Sequence, residues 1–208
     1  MKTAVLFLFI TVPLVAIQRG ALTLENIQRV DAHTPRELQI RLAESAAPRS
    51  IASGASVYVL GLNGYELARA GKNGFTCLVS RELVNTIEPE CYDAEGTATT
   101  LKARFFVEEQ RSKGVNEEQI ASAVELGYRE KRFIAPRRPG IVYMMSDHNF
   151  VFDPKEKKVI RFPGHIMFYA PYLTAKDVGE GPGTPYLTHP GAPDNVMVVV
   201  PQAHTAPQ

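Results

Sequence analysis

The chain has 208 residues, with 23 Lys and Arg against 22 Asp and Glu, two cysteines and no tryptophan. Charge this close to neutral excludes a dedicated nucleic-acid binder, which needs a positive field to recruit phosphates. The length allows one core of ordinary size and falls short of what two full domains usually need.

Taken in chain order, the first residues have the form of a bacterial export signal: Lys2, an apolar run from Ala4 to Ile17, then Gln18-Arg19-Gly20. That run is shorter than the roughly twenty residues a membrane-spanning helix needs. Residues 1–21 are therefore expected to be a signal peptide, with Ala16, Gly20 and Ala21 as acceptable small residues for cleavage. The alternative is an uncleaved anchor, which would be the only tie to a membrane. No cysteine follows the run directly, against a lipid-anchored lipoprotein. Loss of Lys2 and Arg19 with this segment turns a formal charge of +1 into −1. The remainder is expected to be one secreted or periplasmic domain over 22–201, with a disordered tail at 202–208.

Thr34-Pro35-Arg36-Glu37 carries a helix-start signature, with Thr34 at the N-cap and Pro35 at the first helical position. Leu38, Leu42 and Ala46 continue at helical spacing until Pro48, and a short helical turn follows up to Gly54. The period then changes to that of strands. Residues 57–60 and 65–68 flank Asn63-Gly64, a dipeptide suited to a tight hairpin turn, and Asn73-Gly74 leads into 75–79. These three segments read as an antiparallel meander. Cys77 and Cys91 are expected to close in an oxidising compartment, tying the third strand to a loop that holds Pro89, Glu90 and Cys91.

The middle of the chain reads as an αα-hairpin lying on the sheet. Ala98, Leu101 and Phe105 form one stripe ending at Gly114, and Asn116 to Gln119 resembles a capping box before Ile120, Val124 and Tyr128. Its acids, Glu108, Glu109, Glu117, Glu118 and Glu125, are expected to fall mostly on a solvated outer face. The basic stretch 129–138 contains Pro136 and reads as a linker. Strands follow at 141–145, 150–152, 159–162, 166–169 and 196–200, with a charged hairpin connection at 153–158. The segment 179–193, rich in Gly and Pro, is a loop suited to the rim or lid of a site. The expected fold is α+β: a mainly antiparallel sheet covered by two or three helices, with one disulfide, Cys77–Cys91.

Familiar catalytic signatures are missing: no Gly-x-Ser-x-Gly elbow, no His-Glu-x-x-His, no phosphate-binding Gly-Lys-Ser/Thr loop, no Gly-x-Gly-x-x-Gly turn. What stands out is a group of imidazoles and thioethers after residue 143: Met144, Met145, His148, His165, Met167, His189 and Met197. Residues i and i+2 of a strand share a face, so His165, Met167 and Tyr169 would point one way and Ile166, Phe168 and Ala170 the other. Thioether with imidazole is the ligand set that soft copper prefers. On this reading Met197, His148 or His189 would complete a copper or haem site with His165 and Met167. The plainer reading is a packed strand, since Met fills irregular core space and a core histidine finds a carbonyl or tyrosine partner. A third is an acid-base pair of His148 or His165 with a distant carboxylate such as Asp153 or Asp194.

Several short segments also resemble a group of small secreted bacterial proteins of no known activity: Asn73-Gly-Phe-Thr-Cys77, Pro89-x-Cys91-x-Asp93, Tyr143-Met-Met145, Gly164-His-Ile-Met167 and the closing Val-Met-Val-Val-Val-Pro201. The resemblance covers most of residues 45–201. It implies a second His-x-Met pair near the end, where this chain has Asn195-Val196-Met197, and a Pro where it has Gly164.

Two functions follow as expectations. The first is a non-enzymatic domain that binds a small ligand or a protein partner, with Tyr143, His148, His165, Tyr169, His189 and Asp194 as candidate ligand contacts and the 179–193 loop at the mouth. The second is a periplasmic copper- or haem-binding protein, with redox activity left open, using His165, Met167, Met197 and His148.

Overall fold

A computed structural model describes residues 27–81, 86–153, 155–179 and 181–200. The expected signal peptide at 1–21 and the tail at 202–208 lie outside the described residues. The elements in chain order are α1 (Arg36–Glu44), α2 (Arg49–Ala52), β1 (Ser56–Gly61), β2 (Gly64–Arg69), β3 (Thr76–Ser80), β4 (Thr86–Tyr92), α3 (Ala94–Ala98), α4 (Thr100–Ser112) and α5 (Glu117–Arg129). They continue with β5 (Ile141–Met144), β6 (Phe150–Asp153), β7 (Lys158–Arg161), β8 (His165–Tyr169), α6 (Ala175–Val178), β9 (Tyr186–Leu187) and β10 (Val196–Val199). The fold is α+β, as expected. The sheet is mixed and mostly antiparallel, in the order β2-β1-β3-β4-β5-β8-β10-β9, with the β6–β7 hairpin branching from the start of β4.

The first three strands depart from a meander. β1 and β2 form the expected hairpin across Leu62-Asn63, but β3 joins the other side of β1 and runs parallel to it. The reason lies in the connection after β2. Lys72 and Asn73 donate their amides to the Gly54 carbonyl, the Asn73 side chain donates to Ile51, and Ser56 donates to Phe75. The chain crosses so close to the start of β1 that a Cβ on Gly71 would lie 2.1 Å from the Ser56 nitrogen. Asn73-Gly74 thus turns a crossover, with the Asn73 side chain accepting the Phe75 amide, and it does not close a hairpin.

The helix starts differ in detail. α1 begins at Arg36 after Pro35, and the Thr34 hydroxyl accepts the amide of Asp31 instead of capping the helix. α5 is capped as read, the Asn116 side chain accepting the Gln119 amide at 2.9 Å. Pro89, Glu90 and Cys91 lie in β4 and not in a loop. Cys91 stands directly across from Cys77 on β3, and the disulfide joins two central strands whose Cα atoms are 4.0 Å apart.

The two faces of the sheet bury separate cores. On one, Val57, Cys77, Val79, Ile87, Cys91 and Phe150 pack with Leu38, Leu42 and Ala43 of α1. On the other, Leu78, Tyr92, Val142, Met144, Met167 and Val198 pack with Leu101, and Phe105 of α4 stacks on Tyr58 and Tyr65 at centroid distances of 4.7 and 5.5 Å. One expected surface acid is inside: Glu108 is buried between Arg81 and Arg111, two guanidinium groups that offset its desolvation. Glu109, Glu117, Glu118 and Glu125 are exposed as expected. Stretch 129–138 is irregular but anchored, with Phe133 buried against Phe106 and Tyr128 and Arg138 paired with Glu95.

Candidate functional site

Strand alternation decides which side chains meet. Along β4, Glu88, Glu90 and Tyr92 point to the face opposite Ile87 and Cys91. In β8, His165, Met167 and Tyr169 are buried while Ile166 and Phe168 are more exposed, so the His165 face is the inward one. Register then sets transverse rows. Leu78 pairs with Glu90, and Met144 pairs with His165. Stepping two residues back from the Tyr92–Val142 pair brings Glu90 abreast of Met144. Glu90 and His165 therefore flank Met144 on one face, two strand spacings or roughly 10 Å apart at their Cα atoms. The next row, Tyr92, Val142, Met167 and Val198, is an apolar floor.

Above these rows lies a cavity of about 180 Å³. Thr100 and Arg104 of α4, Phe162 and Pro163, and Tyr186, Thr188, His189 and Asp194 line it together with the sheet. The second half of the 179–193 loop thus lies at this cavity. A larger, mostly apolar groove of about 550 Å³ adjoins it between α4, α5 and residues 189–194, and Arg104, His189 and Asp194 line both spaces.

The chemistry of the inner cavity is polar and buried. Glu90 is 4 % exposed and accepts the phenol of Tyr92 at 2.7 Å. Burial first, and the nearby Glu90 carboxylate second, hold that phenol well above its ordinary pKa. His165 is 5 % exposed. Its Nδ1 is 2.9 Å from the carbonyl oxygen of Pro163, which can only accept, so Nδ1 carries the proton and Nε2 keeps its lone pair. Burial lowers the His165 pKa despite this hydrogen bond, which keeps the ring neutral at pH 7. Thr100 is 4 % exposed, and its hydroxyl has no hydrogen-bond partner among the described residues.

The candidates read from the sequence separate into two groups. His165, Met167, His189 and Asp194 come together at the cavity. Tyr169 shares the His165 face, but its hydroxyl is committed to Asp93 at 2.9 Å beneath Gly96. Tyr143 pairs with Ile166 and faces the other core, where it meets Phe75. Met197 pairs with Phe168 and also points to the opposite face, so it cannot share a ligand with His165 and Met167. His148 lies in the turn after β5, away from the cavity lining, and its buried Nδ1 has no hydrogen-bond partner among the described residues. His165 is oriented by a backbone carbonyl, where the acid-base reading expected Asp153 or Asp194. Among the described residues no group of three or more His, Cys, Asp and Glu could hold a metal ion.

Glu88, Glu90, Thr100 and Arg104 were not among the candidates. The signal was present for the first two: Thr86-Ile-Glu-Pro-Glu-Cys-Tyr92 places acids at i and i+2 of a segment that is buried on both faces. Asn195, where the resemblance implies a histidine, is fully buried and structural. Its amide nitrogen donates to the carbonyls of Ala170 and Leu173 at 2.9 and 3.2 Å, and its oxygen accepts the amide of His189.

The class this geometry defines is an α+β protein with a ten-stranded mixed sheet, a central cross-strand disulfide and a polar cavity on one sheet face. Compared with models of known protein families, with curated proteins and with solved structures, the chain matches none. Among the described residues no helix is long and apolar enough to cross a membrane.

Proposed function

We propose that the protein binds a small molecule in the cavity between β4, β8 and α4, without itself catalysing a reaction. One observation carries the reading: Glu88, Glu90, His165 and Thr100, drawn from three separate elements, are buried around a common space on one sheet face. A few polar groups converging on one space above an apolar floor is the usual form of a ligand site. The disulfide fits an oxidising compartment, which supports an exported protein. A copper or haem site is the less favoured reading, because Met197 and His148 stand away from His165 and Met167.

The test is a thermal-shift screen of metabolite-sized compounds on the disulfide-bonded protein, repeated on Glu90→Gln and His165→Ala. Compounds that raise the melting temperature of the wild type and not of these variants are expected. A wild type that no compound stabilises, or hits indifferent to both substitutions, would count against it.

A further inference from the structure

Resting on that reading, we infer that the cavity takes its ligand by a primary ammonium group whose apolar chain runs out into the groove between α4, α5 and residues 189–194. The first argument is charge. Among the described residues, the cavity wall holds three acidic side chains, Glu88, Glu90 and Asp194, against one guanidinium, Arg104. An anionic head entering this space would face a net excess of like charge, whereas a cation is drawn in. The second is the hydrogen-bonding sense of the neutral groups. The Nε2 of His165 can only accept, because Nδ1 already donates to Pro163. The Thr100 hydroxyl, buried and without a partner among the described residues, lines the same space and can accept from a ligand as well as donate to one. An ammonium group presents three donors and no acceptor, which complements this set.

A divalent cation would also answer the charge. It needs several oxygen or imidazole ligands converging on one point, and among the described residues no three His, Cys, Asp or Glu do so. An organic ammonium is held by separate acceptors spread around it. The third argument is continuity. Arg104, His189 and Asp194 line both spaces, so the groove lies directly beside the inner cavity, and its Ile120, Val124 and Tyr128 come from successive turns of α5. A ligand charged at one end and apolar along its length fills both.

Titration calorimetry on the full disulfide-bonded chain tests this with ethylamine, butylamine, hexylamine and octylamine, alongside alcohols and carboxylates of the same lengths. The amines are expected to bind, with affinity rising about threefold to fourfold for each methylene that enters the groove. The matching carboxylates are expected not to bind. Glu90→Gln, which keeps shape and removes charge, should weaken hexylamine by about tenfold or more. Val124→Asn, which adds no charge, should flatten the dependence of amine affinity on chain length, and circular dichroism checks that both variants fold. Carboxylates that bind as well as amines, or a Glu90→Gln protein that binds amines more tightly, would overturn the assignment. If no amine binds while other compounds stabilise the wild type and not Glu90→Gln, the ammonium assignment fails and the ligand-binding reading stands. If nothing binds, both fall.

Discussion

The side-chain oxygen of Asn195 accepts the backbone amide of His189 at 3.0 Å, six residues back along the chain. With its two donations to Ala170 and Leu173, this amide clamps the 189–195 turn against the end of β8 and so places His189 and Asp194 at the cavity. Asn195→Ala removes three hydrogen bonds, while the Ala170 and Leu173 carbonyls keep the amides of Leu173 and Gly191, and is expected to cost about 1–3 kcal/mol, at roughly 0.5–1 kcal/mol for each lost hydrogen bond. Asn195→His should not restore it, because a neutral imidazole offers one donor and one acceptor where the site uses two and one. Chemical denaturation of both variants measures this, and a His variant as stable as the wild type would refute the clamp.

The phenol of Tyr92 donates to Glu90 inside the second core. Tyr92→Phe removes a hydrogen bond to a buried acid without opening a large space, and a loss of about 1–3 kcal/mol is expected. Equilibrium unfolding in urea reads the difference. A change below about half a kilocalorie per mole would mean that Glu90 does not depend on this donor.

Burial lowers the pKa of His165 in the folded protein, whereas the unfolded chain titrates near the ordinary 6.5. Below that value the unfolded state binds a proton that the native state refuses, so stability should fall as pH drops from about 6.5 towards the depressed native pKa. Glu95 has the opposite origin and a lower window. The Arg137 amide, followed by Arg138, holds its carboxyl below the usual range, a contribution present above about 4.5 and lost on further acidification. Unfolding midpoints at pH 7.5 and 5.5 should therefore differ less in His165→Gln than in the wild type. Equal differences would remove His165 as the cause.

Cys77 and Cys91 are 14 residues apart and both belong to the first core. Replacing both by Ala gives up about 3 kcal/mol of loop-closure entropy and some buried volume besides. Melting with and without reductant should show the wild type falling towards the double variant, which itself ignores reductant. No shift on complete reduction would show that β3 and β4 hold together through their ladder alone.

Much of this architecture was legible because local rules carried it. Asn63-Gly64, Asn116 and the acids and lysines of 153–158 act within a few residues of themselves, and each turn or cap they imply is present. Alternation in 165–169 likewise required only the period of a strand. Thr34 and Asn73 mislead for the same reason inverted: their side chains take local partners, Asp31 and Phe75, whose use depends on where distant segments lie.

From residue order alone came the α+β class, the disulfide partners and the fact that His165, Met167 and Tyr169 share a face, because spacing, period and a count of two cysteines are properties of the chain itself. Which neighbours meet that face was decided by register between strands far apart in sequence. One residue of offset turns Met197 away from Met167, and a parallel pairing of β1 with β3 rules out the meander. Two burial patterns alike in sequence, Glu90 beside the cavity and Glu108 between two arginines, part only in three dimensions, where solvation and partners set the cost of each charge.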